Sequence, residues 1–246
     1  MSEQKLAELT LTAAELTGRA STHVLRFDPP GFTAHPVAAT AFLAMRAEAA
    51  KSGIDLTVAS AFRDFDGQLA IWNRKFRGER VLYAADGSVL DHANLDEPAL
   101  IAAILEWSAL PGASRHHWGS EFDVHDRAAQ PPDYKLRLMP DEYEAGGVFA
   151  TLTQWLDANM ARYGFFRPYD AERGGIHAEP WHLSFAPVSV PALAAMSVAV
   201  LDTALDDSVL GLATVREALP GIYARQVCLV ADAPAQLIHT APNGLA

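Results

Sequence analysis

The sequence predicts an α+β fold built on one hydrophobic core with additions. Three observations lead there. Half of the 246 residues are hydrophobic, ample for a core in a chain long for one domain and short for two. Strand candidates are few, widely spaced and carry polar groups, which suits parallel βαβ winding poorly. Helical stretches rich in Ala and Leu lie between and after them, placed to pack on a sheet.

Residues 1–30 read as a mixed leader ending at the turn signal Asp28-Pro29-Pro30-Gly31. "PVAATAFLAMRAEAAK" (36–51) predicts a helix, opened by Pro36 and closed before Gly53. "IDLTVASAF" (54–62) alternates and is rich in β-formers, hence a strand. A helix over about 64–76 follows, with Leu69, Trp72, Asn73 and Phe76 at helical spacing. Residues 78–96 are polar and turn-rich, a loop or short hairpin; 97–110 is a helix closed by Pro111-Gly112. "SEFDVHD" is a short strand leading into an irregular segment, 127–147. Residues 148–164 form an amphipathic helix ending at Gly164, and "WHLSF" (181–185) a last strand. Two helices, about 191–205 and 207–218, and a weakly structured tail finish the chain. The expected organisation is a leader (1–35) packed on a core (36–187), then a C-terminal helical extension (188–246).

Net charge is −11, so the basic face of a nucleic-acid binder is missing. No apolar run is long enough to span a bilayer; the most apolar stretch, Val188 to Leu201, contains Pro191. The first residues lack an apolar core flanked by basic ones, so a cytoplasmic location is expected. Neither nucleic acid nor membrane is expected as a partner. An acidic surface repels anionic substrates unless arginines correct the charge locally. The single cysteine, Cys228, forms no internal disulfide and no thiolate cluster, so any metal site must use histidine and carboxylate.

The chain has nine histidines, and two short Trp-bearing runs set some of them beside carboxylates: "SRHHWGSEFD" (114–123) and "EPWH" (179–182). Either run alone reads as an ordinary turn. Together they offer two halves of a metal site. His116 and Asp123 straddle a turn at Gly119, so His116 precedes a strand that carries Asp123 inward. His182, on the next convincing strand, adds a third ligand. Two histidines and one carboxylate with an open fourth position make a catalytic zinc arrangement, although nitrogen and oxygen ligands also admit other divalent ions. Glu179, three residues before His182, is placed to act as general base on a water activated by the metal. "SAFRDFDGQ" sets Arg63 just after a strand, with Gln68 five residues on. An arginine there holds a carboxylate or a developing oxyanion; alone it is a surface ion pair. Trp118 and Trp181 read as walls of the site that pack and do not react.

With these three runs in view, the sequence resembles the zinc D-Ala-D-Ala carboxypeptidases of the VanY type, within the lysostaphin/D-Ala-D-Ala carboxypeptidase/hedgehog superfamily. That family shows Ser-x-His-x-x-Gly-x-Ala-x-Asp, then Glu-x-Trp-His, with an upstream Ser-x-Tyr-Arg and a Gln five residues after the Arg. Here the motifs are Ser114, His116, Gly119 and Asp123; Glu179, Trp181 and His182; and Ser60, Arg63 and Gln68. The resemblance spans about residues 50–187. It implies a hedgehog/DD-peptidase-like fold, a small mostly antiparallel sheet bearing the site, and one Zn2+ per chain on His116, Asp123 and His182. It implies Glu179 and Arg63 as catalytic residues, with Ser114, Gln68 and Ser60 contacting substrate. The implied reaction is hydrolysis of the bond to a C-terminal D-Ala in a peptidoglycan peptide or muropeptide, as a D,D- or an L,D-carboxypeptidase. A D-Ala-D-Ala dipeptidase and a non-catalytic zinc-containing binding protein of the same fold are the alternatives. Two departures stand out. Phe62 replaces the usual Tyr and removes a hydroxyl. Glu121 fills the usual Ala position; if the strand alternates, it points the same way as Asp123, as a partner of the site or a modifier of its metal or substrate. His117, His125 and His177 stay unassigned.

Overall fold

The computed structural model describes residues 10–85 and 87–238. Residues 1–9 of the leader and 239–246 of the C-terminal extension lie outside the described residues. The expected α+β class holds. A four-stranded sheet in the order β3-β6-β8-β7 is antiparallel throughout, from β3 (Leu56–Ser60), β6 (Glu121–Asp126), β7 (Phe165–Phe166) and β8 (His182–Phe185). Strand alternation divides it into two faces. Phe122, Val124, Leu183 and Phe185 point into the core; Glu121, Asp123, His182 and Ser184 occupy the alternate positions.

The core face is covered by helix α2 (Pro36–Ala50) and helix α6 (Ala150–Asn159). Helix α2 begins where the sequence predicts: Pro36 needs no donor in the first turn, and His35 caps it by accepting from Val37 N–H at 3.3 Å. Phe42 stacks on Phe122, centroids 4.6 Å apart, and Phe32 and Phe165 meet Phe122 edge-on. Truncating one such buried Phe to Ala costs roughly 3–5 kcal/mol. Helix α6 passes into a 3-10 turn, Met160–Tyr163, and Gly164 closes it at φ 82°. Glycine is needed there, because a side chain would meet the Phe185 ring at 2.9 Å.

A second core lies around helix α3 (Phe65–Phe76) and helix α4 (Glu97–Leu105). Trp72, Ile104, Leu201 and Leu219 are buried there, with Leu16 from the N-terminal segment. Trp72 donates its indole N–H to Leu210 C=O at 3.0 Å, and Asn73 donates to Ser208 C=O at 2.9 Å. The C-terminal segment is therefore fastened to α3.

Several elements differ from the sequence reading. The leader folds: helix α1 (Ala13–Leu16) and a hairpin of β1 (Leu25–Phe27) and β2 (Phe32–Ala34) bracket the predicted Asp28–Gly31 turn. Residues 82–83 and 89–90 do form a short hairpin, β4–β5, as the sequence allowed. Helix α4 stops at Leu105, short of 110, because Trp107 turns aside to donate to Ala84 C=O at 3.2 Å. The expected helix 191–205 is two helices, α7 (Ala186–Ala195) and α8 (Val198–Ala204), since Ser197 caps a new start by accepting from Val200 N–H. The last helix, α9, runs Leu212–Ile222, later than expected, and the backbone coils on to Cys228. The two-residue strand β7 adds an edge that no alternation signalled, and the short helix α5 (Pro140–Tyr143) lies in the expected irregular segment. No single helix among the described residues is long and apolar enough to cross a membrane.

Candidate metal centre

Register brings the two motif runs together. Asp123 on β6 pairs directly with His182 on β8, and Ser60 on β3 pairs with Asp123 from the other side. The β3 register shifts between Val58 and Ser60, a bulge beside the site that carries the chain on to Arg63. His116 lies in the 3-10 turn Arg115–Trp118, which ends at Gly119 with φ 66°. A side chain at Gly119 would meet Val24 Cγ1 at 2.5 Å and the His35 nitrogen at 2.8 Å, so the motif glycine is dictated by left-handed backbone and by close approach of the leader.

His116, Asp123 and His182 are buried and present ligand atoms within 4.8 Å of one another. His116 Nε2 lies 3.3 Å from Asp123 Oδ2; His182 Nδ1 lies 3.1 Å from Asp123 Oδ1. The far side of each ring is already committed. His116 Nδ1 sits 2.7 Å from Ala61 C=O, which only accepts, so that nitrogen carries the proton and Nε2 offers its lone pair. His182 Nε2 sits 2.9 Å from Glu121 Oε2 and is protonated for the same reason. Asp123 Oδ1 is buried without a hydrogen bond of proper geometry, although His182 Nδ1 faces it. Two residues able to share one ion would meet in this way, off the hydrogen-bond axis. The donor set, two imidazole nitrogens and a carboxylate, suits zinc. These residues fit the implied metal.

The electrostatics agree. Burial alone would lower the pKa of His182, but the Asp123, Glu121 and Glu179 carboxylates facing its ring N–H groups outweigh it and hold the value well above the ordinary one. Burial would raise Asp123; the His116 and His182 charges and hydrogen bonds drive it far below the usual carboxylate range instead. Glu121 is fully buried, yet Arg115, His182 and Ser120 hold its pKa down at about 2.

Glu179 Oε2 stands 3.2 Å from His182 Nδ1, on the partly exposed side of the cluster. Arg63 donates Nη1 to Gln68 Oε1 at 2.6 Å and Nη2 to Ser60 Oγ at 3.1 Å. Burial lowers its pKa and the Asp123 and Glu179 charges raise it; an arginine stays charged under both. Gln68 is buried and spends its amide nitrogen on Ala109 C=O at 2.7 Å. Both Gln68 and Ser60 therefore hold Arg63. Ser114 is buried at the start of the 3-10 turn, and its hydroxyl makes no capping bond.

The unassigned histidines separate. His117 is fully buried, bonds to Arg63 C=O at 2.6 Å and accepts from Gly112 N–H at 3.1 Å; burial pushes its pKa down to about 3. It anchors the Arg63 backbone as a neutral group. His125 packs against Phe149, two residues beyond Asp123. His177 bridges Glu106 at 2.8 Å and Glu172 at 3.0 Å and stacks on Trp107. Neither joins the ligand cluster. Trp118 and Trp181 are buried and pack. Sequence reasoning missed Tyr169, whose buried ring meets His182 edge-on at 5.0 Å, and Arg115, the cation behind Glu121. Tyr169 had no signal in its run; Arg115 could have been found as the charge that a buried Glu121 requires.

A family model described as VanY, D-alanyl-D-alanine carboxypeptidase, matches residues 32–188. The chain belongs to this family. It is 41% identical over 105 residues to an uncharacterized protein of Haemophilus influenzae, covering 42% of this chain and 72% of that protein. A second uncharacterized protein of the same organism is 36% identical over 97 residues, covering 39% and 74%. A D-alanyl-D-alanine carboxypeptidase of Enterococcus faecalis is 26% identical over 142 residues, covering 55% of this chain and 42% of that protein. Among solved structures, VanYB in complex with D-alanine-D-alanine is 22% identical at a TM-score of 0.48, covering 70% of this chain and 82% of that one. The VanY-family match ends at the residue where α7 is under way, so α8 and α9 lie outside it.

Proposed function

We infer that this chain is a zinc carboxypeptidase that releases a C-terminal D-alanine from a peptidoglycan peptide. One observation carries the reading: three buried ligands converge beside a partly exposed carboxylate, Glu179, and a half-buried guanidinium, Arg63. His116, Asp123 and His182 would hold one ion per chain. Bound zinc supplies Lewis-acid chemistry, polarising a carbonyl and making water nucleophilic near neutral pH. Glu179 takes the proton of the attacking water and returns it to the leaving amine. Arg63, fixed by Gln68 and Ser60, donates to the developing oxyanion or the terminal carboxylate of the peptide. In a chain of net charge −11, this arginine supplies the local positive field that an anionic peptide end needs.

Mass spectrometry of products tests the reading, with pentapeptide and tetrapeptide muropeptides and free D-Ala-D-Ala offered separately to zinc-loaded protein. D-Ala released from the pentapeptide assigns D,D-activity, from the tetrapeptide L,D-activity, and from the free dipeptide alone a dipeptidase. Release from none refutes the proposal.

A further inference from the structure

Behind the ligand cluster lies a second buried polar group that the reaction above does not use. Glu121 receives five donors on two oxygens. Oε1 accepts from Ser120 Oγ at 2.8 Å, Ser184 Oγ at 2.9 Å and Arg115 Nη2 at 3.4 Å. Oε2 accepts from His182 Nε2 at 2.9 Å and Arg115 Nε at 3.3 Å. Arg115 pairs with both oxygens, while the two serine hydroxyls and His182 Nε2 complete the shell around the buried carboxyl. Ser184 completes the set. Its hydroxyl lies 2.9 Å from Glu121 Oε1, accepts from Arg115 Nη2 at 2.7 Å and meets Ser189 Oγ at 2.7 Å.

The group is aimed at one atom of the metal centre. Glu121 and Asp123 lie on the same face of β6, and Glu121 pairs in register with Ser184, two residues after His182. The His182 ring is thus clamped from behind while its Nδ1 points at Asp123. Arg115 lies beside His116, so one cation links the two histidine-bearing segments.

We propose that Glu121, paired with Arg115, is a positioning residue that fixes the ring of His182 and commits Nδ1 as the metal ligand. This rests on the metal reading proposed above. The position is the small-residue slot of the family motif, where alanine reaches nothing. Here the chain supplies a carboxylate–histidine pair of the kind that orients ligating imidazoles and increases their basicity. The Ser120 and Ser184 hydroxyls bond to the Glu121 side of the ion pair, and Ser189 holds Ser184 in place.

The test compares the wild-type chain with Glu121→Gln, which removes the charge at nearly constant volume. A second variant, Arg115→Leu with Glu121→Leu, removes both charges and leaves neither unpaired. Zinc affinity is read by competition with a chromophoric chelator. The His182 Nε2 proton is read in zinc-loaded, histidine-labelled protein by NMR. The wild type is expected to bind zinc and to show a downfield, slowly exchanging Nε2–H. Both variants are expected to bind zinc roughly 10–100-fold more weakly and to lose the protection of that proton. Affinity within about twofold of wild type in the double-leucine variant would reduce Glu121 to a counter-ion for Arg115 and overturn the proposal. A wild type that binds zinc with a rapidly exchanging Nε2–H overturns it without recourse to any variant. A wild type that binds no zinc refutes the metal reading itself.

Discussion

Replacing Arg63 by lysine keeps the charge and removes the fork. The guanidinium now spans two supports at once, Gln68 Oε1 at 2.6 Å and Ser60 Oγ at 3.1 Å. A lysine ammonium on a flexible stem reaches one of them and cannot present a planar pair of donors to a carboxylate or oxyanion. Two effects follow. Losing one well-placed donor to the oxyanion costs about 2.7–4 kcal/mol, so kcat/KM is expected to fall about 10²–10³-fold. Gln68 is buried, and leaving its Oε1 without a partner costs about 1–3 kcal/mol of stability. At roughly 2–4 °C per kcal/mol for a chain of this size, the melting temperature should drop measurably. Steady-state release of D-Ala from a D-Ala-ended peptide, with a thermal melt on the same sample, separates the two. A fall in kcat at steady KM assigns Arg63 to the transition state; a rise in KM alone assigns it to holding the peptide end. Activity within about twofold of wild type would sink the catalytic role and leave only the structural one.

Four further predictions concern the same region. Glu179→Ala should retain zinc by elemental analysis and lose about 10²–10⁴-fold in turnover, and near wild-type turnover would remove Glu179 as the base. Because Asp123, Glu121 and Glu179 raise the His182 pKa well above the ordinary imidazole value of about 6.5, a proton competes with zinc for Nδ1. Apparent zinc affinity should therefore rise about tenfold per pH unit from near 6.5 up to the raised value; a flat profile in competition titrations would exclude His182. In metal-stripped protein the sign reverses: the raised His182 pKa contributes stability that is fully present below about 6.5 and is lost as pH climbs through the folded value, which denaturant melts at increasing pH should register. Gly119→Ala forces a side chain to 2.5 Å from Val24 in left-handed backbone, so it should destabilise the chain by more than about 1 kcal/mol; an unchanged denaturation midpoint would contradict that geometry.

Much of the site was legible because its chemistry is concentrated in short runs. His116, Asp123 and His182 announce themselves by residue type, and the alternation in "SEFDVHD" and "WHLSF" puts Asp123 and His182 on strands. Their direct pairing was not legible, since strand register depends on partners distant in sequence. The same limit hid the leader's hairpin, whose strands are three residues long, and β7, which is two. Gln68 reads in sequence as a polar group free to meet substrate. Its burial and its bond to Ala109 C=O come from α3 packing against the segment after α4, a tertiary fact. Glu121 was legible only in part: alternation gave its direction, but not the five donors that gather around it.

The fastening of Trp72 and Asn73 to Ser208 and Leu210 bears on how the chain is made. Synthesis runs from the N-terminus, and domains begin to fold as they emerge. Helix α3, which carries Gln68, leaves the ribosome early, but the apolar side around Trp72 is covered only when the segment from Leu201 to Ile222 arrives. Until then the nascent chain holds His116, Asp123, His182, Glu179 and Arg63 while one side of the helix supporting that arginine is still wet. The last helices to be translated thus set the arginine's final rigidity.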